Sequence, residues 1–158
     1  MKQTVWIALI CALGLAGASP KEIEGRWSNG RLSMIQYRDV ITGVGRPPAG
    51  NYFSYEFRAD GTYRFLGLMQ TTMYQCTTTA FGEESGTYEM TAEGVVALHP
   101  QKNPFKMTNN CAPSANREVP GKLTERSYRV EIVGDRLELK GADQSVQTFQ
   151  RDRSLPSR

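Results

Sequence analysis

Residues 51–65 read NYFSYEFRADGTYRF, and this stretch decides the fold class. Phe53, Tyr55 and Phe57 alternate with polar residues, which is the period of a β-strand with one buried face. The Asp-Gly pair that ends at Gly61 favours a tight turn, because Gly tolerates positive φ. The alternation then resumes at once. The stretch therefore predicts a β-hairpin with one aromatic face.

The same alternation returns along the rest of the chain, between short turn motifs. It is found in the segments 86–90, 95–98, 128–132, 137–139 and 146–149. We count roughly eight to ten short strands in this pattern. An antiparallel sheet of that size tends to curl, and closing it removes its edge strands. The sequence therefore predicts an all-β fold, an antiparallel up-and-down β-barrel.

Four features predict interruptions of this sheet. Asn29-Gly30 is a turn dipeptide, and Gly67 predicts a bulge or bend within a strand. Phe81–Glu84 is interpreted as a turn between hairpins. His99–Gly121 contains four prolines and four asparagines, so it predicts a long irregular loop.

Composition limits the class of protein. The chain has 158 residues, of which 39% are hydrophobic and 22% charged, and this fits one globular domain with a core. Its formal net charge is +3, and the basic residues are scattered between acidic ones. No basic stripe follows a strand or a loop, so we expect no nucleic-acid partner.

The N-terminus has the three parts of a secretory signal peptide. Lys2 supplies the positive end, Val5–Ala18 is an apolar run, and Ala16-Gly17-Ala18 fits the cleavage pattern. The alternative is an uncleaved anchor helix, although the run is short for a membrane span. We expect a secreted or periplasmic protein without stable membrane insertion after cleavage.

The predicted signal peptide leaves a simple domain organisation. Residues 1–18 are the signal peptide, and residues 19–24 form a short N-terminal arm. The barrel covers residues 25–151, and residues 152–158 are a flexible C-terminal tail.

Two cysteines, Cys76 and Cys111, remain once the signal peptide with Cys11 is removed. In an exported chain such a pair predicts a disulfide, worth about 3–4 kcal/mol in the chain-entropy account. The alternatives are two free thiols or a metal pair, and His99 is the only histidine. We expect no metal and no cofactor. A single histidine without a neighbouring nucleophile or acid also argues against an enzyme.

Several motifs resemble those of bacterial secreted lipocalin-like, or calycin-type, domains. Gly25-Arg26-Trp27 is similar to the Gly-x-Trp motif that opens the first lipocalin strand. The segments 57–63, 85–88 and 95–98 are similar to hairpins of these domains, and the resemblance covers about residues 22–152. It implies that a basic residue after the last strand, Arg151 or alternatively Arg153, lies over Trp27 as a cation–π pair.

The resemblance and the aromatic strands lead to two functional expectations. The first is an exported, non-enzymatic binding protein that holds a small apolar or amphipathic ligand in the barrel. The residues expected to line that ligand site are Phe53, Tyr55, Phe57, Tyr63 and Phe65; alternatively, they fill the barrel and stabilise it. The second is a protein-interaction module that binds a partner through the loop 99–121. A small secreted barrel with one disulfide is similar to bacterial metalloprotease inhibitors, which bind the enzyme through an N-terminal arm. Residues 19–24 would be that arm here.

Overall fold

We describe residues 20–32, 37–38, 45–46 and 50–153 of a computed structural model. The predicted signal peptide and residues 154–158 of the predicted tail lie outside these ranges. A short helix, α1 (Pro20–Ile23), comes first, and a 3₁₀ turn covers Pro113–Ala115. The strands are β1 (Gly25–Leu32), β2 (Tyr37–Arg38), β3 (Gly45–Arg46), β4 (Gly50–Phe57), β5 (Thr62–Met73), β6 (Cys76–Met90), β7 (Val95–Lys102), β8 (Pro104–Asn109), β9 (Arg117–Pro120), β10 (Arg126–Val133), β11 (Arg136–Lys140) and β12 (Val146–Arg151).

Eight strands close into an antiparallel barrel, as the alternation predicts. Their order is β5-β4-β1-β12-β11-β10-β7-β6, and β6 pairs with β5 to complete the ring. Most neighbours in the barrel are also neighbours in sequence, which is the up-and-down arrangement. β8 and β9 are added to the same sheet beyond β6, and β2 pairs with β3 in a separate small sheet.

The deciding hairpin forms as predicted between β4 and β5. The Arg58 amide donates to the Thr62 carbonyl at 2.9 Å, and Gly61 takes a φ of +78°. The Asp60 carboxylate accepts a hydrogen bond from the Thr62 amide at 2.9 Å. The turn therefore uses the two properties expected of Asp and Gly, a side-chain acceptor and freedom at positive φ.

The hydrophobic core fills one end of the barrel, which we call the Trp27 end. Trp27 and Ile23 are fully buried there, together with inward-facing residues from most of the barrel strands. These residues are Phe57, Tyr63, Tyr88, Val96, Leu98, Val130, Leu137, Leu139 and Phe149. Aromatic rings contact one another through this core, as in the edge-to-face pair of Phe57 and Tyr88, whose centroids are 5.1 Å apart.

Arg151 holds together the seam at which the barrel closes. The β1–β12 pairing contains only two register pairs, Trp27 with Arg151 and Ser28 with Gln150. The Arg151 guanidinium lies 4.0 Å from the centroid of the Trp27 ring. It also donates to the carbonyls of Glu24 at 2.9 Å and Glu22 at 2.8 Å. One side chain thus ties the last strand to the first strand and to the segment before it.

Gly25 and the residues before it fit this seam. Gly25 takes a φ of +114°, and a Cβ there would lie 3.1 Å from Nη1 of Arg151. The Trp27 indole donates to the Ile23 carbonyl at 2.7 Å. The N-terminal segment 20–24 is therefore bound to the barrel by its backbone, and its Ile23 side chain belongs to the core.

Two predicted interruptions lie inside strands. Asn29-Gly30 does not turn the chain, because β1 stays paired with β4 as far as Leu32. Gly30 instead allows a close approach: a Cβ there would lie 2.1 Å from the Asn51 carbonyl oxygen. Gly67 does not break β5, because its pairing with β4 and β6 is continuous. Its missing side chain leaves room for aromatic rings rather than causing a bend.

The other two predicted interruptions are also wrong. Phe81–Glu84 is not a turn, because β6 runs through it with β5 paired alongside. His99–Gly121 is not one long loop: β7 continues to Lys102, and β8 and β9 form a further hairpin. Pro104 begins β8 and Pro120 ends the outermost strand, β9, which are positions where a sheet tolerates proline. Pro100 lies within β7, opposite Gly86 and beside the bulge between Ser85 and Gly86.

A disulfide braces the sheet beyond the barrel, which we call the extension (residues 66–83 and 104–120). Cys76 and Cys111 form the predicted bridge, with their Cα atoms 5.4 Å apart. The Asn110 side chain adds a hydrogen bond next to the disulfide by accepting from the Thr77 amide at 2.6 Å. Tyr74, at the tip of the β5–β6 hairpin, is 95% exposed. The extension is thus a braced hairpin pair with an exposed aromatic tip.

Replacing Arg151 should weaken the seam. Arg151→Lys keeps the charge, but an ammonium cannot bind both carbonyls and stack on Trp27 in the same way. We expect the free energy of unfolding, measured with urea on residues 19–158, to fall by about 1–2 kcal/mol. Arg153→Lys is the matched control, because Arg153 is exposed and pairs with Asp135 at the surface. Equal losses of unfolding free energy in the two variants would contradict the role of Arg151 in the seam.

Reducing the disulfide should loosen the extension and leave the barrel intact. The bridge joins β6 to the segment after β8, so its loss should speed amide hydrogen exchange in β8 and β9. Amides of the paired β10 and β11 should exchange at an unchanged rate. The double variant Cys76→Ser/Cys111→Ser serves as control, because reductant should not alter it. Amide exchange rates in β8 and β9 that stay the same after reduction would show that the bridge does not stabilise the extension.

Candidate functional site

The predicted ligand-lining aromatic residues all face the barrel interior but differ in depth. Tyr55, Phe57 and Tyr63 are fully buried in the core. Phe53 and Phe65 are half-buried at the opposite end, which we call the Phe53 end. These two rings stack with centroids 6.3 Å apart and planes 9° from parallel. The structure thus places three of the residues in the filled part of the barrel and two at its partly exposed end.

A buried carboxylate lies between these two parts of the barrel. Glu84 is only 3% exposed, and its register partner on β5 is Phe65. The Tyr63 hydroxyl donates to Oε1 of Glu84 at 2.6 Å, and Nη2 of Arg126 pairs with the same oxygen. A buried charge of this kind requires such partners, because desolvation of an unpaired carboxylate is costly.

Tyrosine hydroxyls surround the Glu84–Arg126 pair and are held neutral. Burial raises the pKa of the Tyr55 hydroxyl far above its ordinary value of 10.0, and nearby Tyr128 raises it further against an opposing effect of Arg126. Burial likewise raises the pKa of Tyr63, and its hydrogen bond to Glu84 adds to this shift. The ion pair therefore lies among uncharged hydroxyl groups.

Arg126 keeps one donor without an acceptor. Its Nε is buried, and it is the one buried side-chain nitrogen or oxygen that lacks a hydrogen-bond partner within the described ranges. About a third of the side chain, 34%, remains exposed. A buried N–H without a partner lowers the stability of the fold by about 1–3 kcal/mol, and an acceptor at Nε of Arg126 would remove this cost.

Strand alternation brings Glu84 and Arg126 inside. On β6 the buried positions are Glu84, Gly86 and Tyr88, with a bulge between Ser85 and Gly86. Glu83 faces outward and pairs with Arg64 at 2.9 Å. Neither residue of the pair was among the predicted site residues, because Phe81–Glu84 had been interpreted as a turn.

A sequence signal for Arg126 was nevertheless present. Tyr128, Val130 and Ile132 alternate as an inward face, and extending that period back by two residues reaches Arg126. The β10 strand begins at Arg126, so the inward-facing period of this strand does reach back to this residue. The pairing with Glu84 required the register of distant strands.

His99, the only histidine of the sequence, is paired with an acidic side chain. Nδ1 of His99 lies 3.1 Å from the exposed Glu125 carboxylate, at the surface. No cluster of three or more potential metal-binding side chains occurs in the described ranges. Among these same residues, no helix has the length and apolar character needed to cross a membrane.

A shallow groove lies where β7 passes into β8. It has a volume of about 480 Å³ and is bordered by the β8–β9 hairpin, including half-exposed Val119 and Leu123. The predicted interaction loop 99–121 contributes most of its wall. The groove is separate from the Glu84–Arg126 pair inside the barrel.

Comparison with known proteins adds no family assignment. No protein-family model matches the chain, and no curated protein matches it either. The fold and the contacts within it therefore carry the functional argument.

The buried tyrosines predict a loss of stability at alkaline pH. Their pKa values are raised in the folded state, so their stabilisation is complete below about pH 10 and falls once the unfolded tyrosines ionise above it. Each such tyrosine contributes a slope of about 1.4 kcal/mol per pH unit there.

Substitution of one tyrosine isolates this effect. Tyr55→Phe should lower the alkaline slope of the unfolding free energy by about 1.4 kcal/mol per pH unit. Tyr74→Phe, at the exposed tip, is the control and should leave the slope unchanged. Urea titrations between neutral pH and about pH 11 measure both slopes. An unaltered slope in Tyr55→Phe would show that Tyr55 ionises freely in the folded protein.

Proposed function

We propose that this chain is an exported, non-enzymatic binding protein of the lipocalin-like kind, whose barrel holds a small apolar or amphipathic molecule. One observation carries the proposal. At the Phe53 end, a half-buried aromatic pair lies next to a buried polar cluster that still has an unsatisfied donor. Ligand sites in proteins combine apolar walls with a few placed polar groups in this way.

The packing of the barrel interior supports a binding site at the Phe53 end and not at the Trp27 end. The core fills the Trp27 end with large side chains, so little room is left for a guest there. At the Phe53 end, β5 and β6 place two glycines opposite each other, Gly67 and Gly82. The Phe53 and Phe65 rings pack over Gly67, 3.4–3.5 Å from the position of a Cβ there. Their partly exposed faces are the apolar surface on which we propose that the ligand rests.

Two further features support the lipocalin-like and exported parts of the proposal. Arg151 lies over Trp27, which is the contact that the Gly-x-Trp resemblance implies. The Cys76–Cys111 bridge is of the kind that persists in oxidising compartments, and it agrees with the signal-peptide pattern at residues 1–18.

Native mass spectrometry tests the proposal directly. Residues 19–158, produced by export and purified without detergent, are weighed natively and after denaturation. We expect extra mass that disappears on denaturation, or that appears after incubation with a mixture of medium-chain esters, alcohols and fatty acids. A bare mass under both conditions would contradict ligand binding.

A variant pair locates the site. Phe53→Arg places a charge on the half-buried ring position and should abolish the adduct. Tyr74→Arg introduces the same charge at the exposed tip and should keep it. An adduct retained by Phe53→Arg would place the ligand elsewhere on the molecule.

A protein-interaction module is the second candidate, and the extension favours it. Residues 65–82 contain no Asp, Glu, Lys or Arg, and their hairpin ends in the exposed Tyr74. Exposed aromatic residues on a rigid support are typical of protein contacts. The N-terminal arm is less suited to insertion into a protease, because Arg151 binds the carbonyls of Glu22 and Glu24. A bare native mass would move the proposal to this candidate.

A further inference from the structure

We infer that the polar group of the barrel ligand is an uncharged hydrogen-bond acceptor, such as the carbonyl of an ester, ketone or amide, and that Arg126 binds it. This inference rests on the proposed function and narrows it to one chemical class. It follows from the charges and the unused donor of the buried cluster.

The charges of the cluster already cancel. Arg126 contributes one positive charge and Glu84 one negative charge, and the two are in direct contact. The surrounding hydroxyls of Tyr55 and Tyr63 remain neutral. Glu125, which precedes Arg126 in the sequence, is exposed at the surface, where it pairs with His99. The site therefore offers no net charge to an incoming ligand.

An anionic ligand would upset this balance. Its carboxylate would be a second anion on a guanidinium that Glu84 already neutralises, and Glu84 is almost completely buried. Two carboxylates near one cation in a desolvated site repel each other, and each loses its hydration. A neutral acceptor brings no such cost.

The donor nevertheless needs an acceptor. Nε of Arg126 is buried and unpaired among the described residues, and 34% of the side chain is exposed. A carbonyl oxygen that approaches the exposed part of this side chain would accept a hydrogen bond from the guanidinium. Hydrogen bonds to charged donors are stronger than neutral ones, so the acceptor should contribute clearly to affinity.

The register sets the direction of the rest of the ligand. Phe65 lies opposite Glu84 across β5 and β6, and Phe53 stacks on Phe65 one step farther along. Cross-strand neighbours have Cβ atoms about 5 Å apart, so an apolar chain attached to the carbonyl would run over these two rings.

Two probes of equal chain length test the inference, methyl octanoate and octanoate. Their affinities for residues 19–158 are measured at neutral pH by displacement of the uncharged dye N-phenylnaphthylamine. We expect the ester to bind about tenfold more tightly than the carboxylate. Tighter binding of octanoate to the wild-type protein would overturn the inference.

Glu84→Gln should reverse the preference. The variant keeps an acceptor for Tyr63 but leaves the charge of Arg126 uncompensated, so octanoate should now bind more tightly than the ester. Glu83→Gln is the matched control, because Glu83 is the adjacent carboxylate on the outer face, and it should keep the wild-type preference. An unchanged preference in Glu84→Gln would overturn the inference.

A second variant keeps the test decisive if Glu84→Gln fails to fold. Glu84→Gln/Arg126→Met removes both charges together, a change that buried ion pairs often tolerate. It should bind methyl octanoate about tenfold more weakly than the wild type. Undiminished ester binding would overturn the role of Arg126.

The outcomes separate this inference from the proposed function. If both probes bind the wild type with equal affinity, the barrel binds ligands but the polar cluster does not select them, and only the inference fails. If neither probe displaces the dye and native mass spectrometry shows no adduct, ligand binding itself fails, and the inference fails with it.

Discussion

Closure of the barrel depends on the contact between Arg151 and the N-terminal segment. The hydrogen-bonded seam between β1 and β12 is only two register pairs long, so backbone pairing alone gives it little strength. The guanidinium adds a stacked contact with Trp27 and two hydrogen bonds to carbonyls. The remaining barrel strands are joined by longer pairings, so the seam has the shortest register of the ring, and the Asn29 side chain also crosses it by donating to the Thr148 carbonyl at 2.6 Å.

The interior of the barrel is divided into two halves with different roles. Large aromatic and aliphatic side chains fill the Trp27 end, and this packing supplies hydrophobic stabilisation. The Glu84–Arg126 pair lies at the border of the core, where the hydrogen bond from Tyr63 to Glu84 and the partial exposure of Arg126 reduce the desolvation cost. Hydrophobic stabilisation is thus concentrated in one half, and the other half is the one in which we propose the ligand site.

The sequence predicts what is local and misses what depends on distant pairing. The hairpin around Gly61 and the alternation at 128–132 indicate strands because each pattern is complete within a few residues. The extension was missed because Leu66–Gly82 is rich in threonine and lacks apolar alternation, and because prolines in 99–121 suggested a loop. The Glu84–Arg126 contact joins residues 42 positions apart, so no local pattern could reveal it.

The seam also decides when the molecule can complete its fold. Arg151 and Glu24 are 127 positions apart, so the first barrel strand leaves the ribosome long before its closing partner exists. Until then the nascent chain is an open sheet with two unpaired edges, and its aromatic inner face lacks the contacts that β12 supplies. Closure therefore comes late in folding, and a growing chain needs protection from edge-to-edge association until β12 has been made.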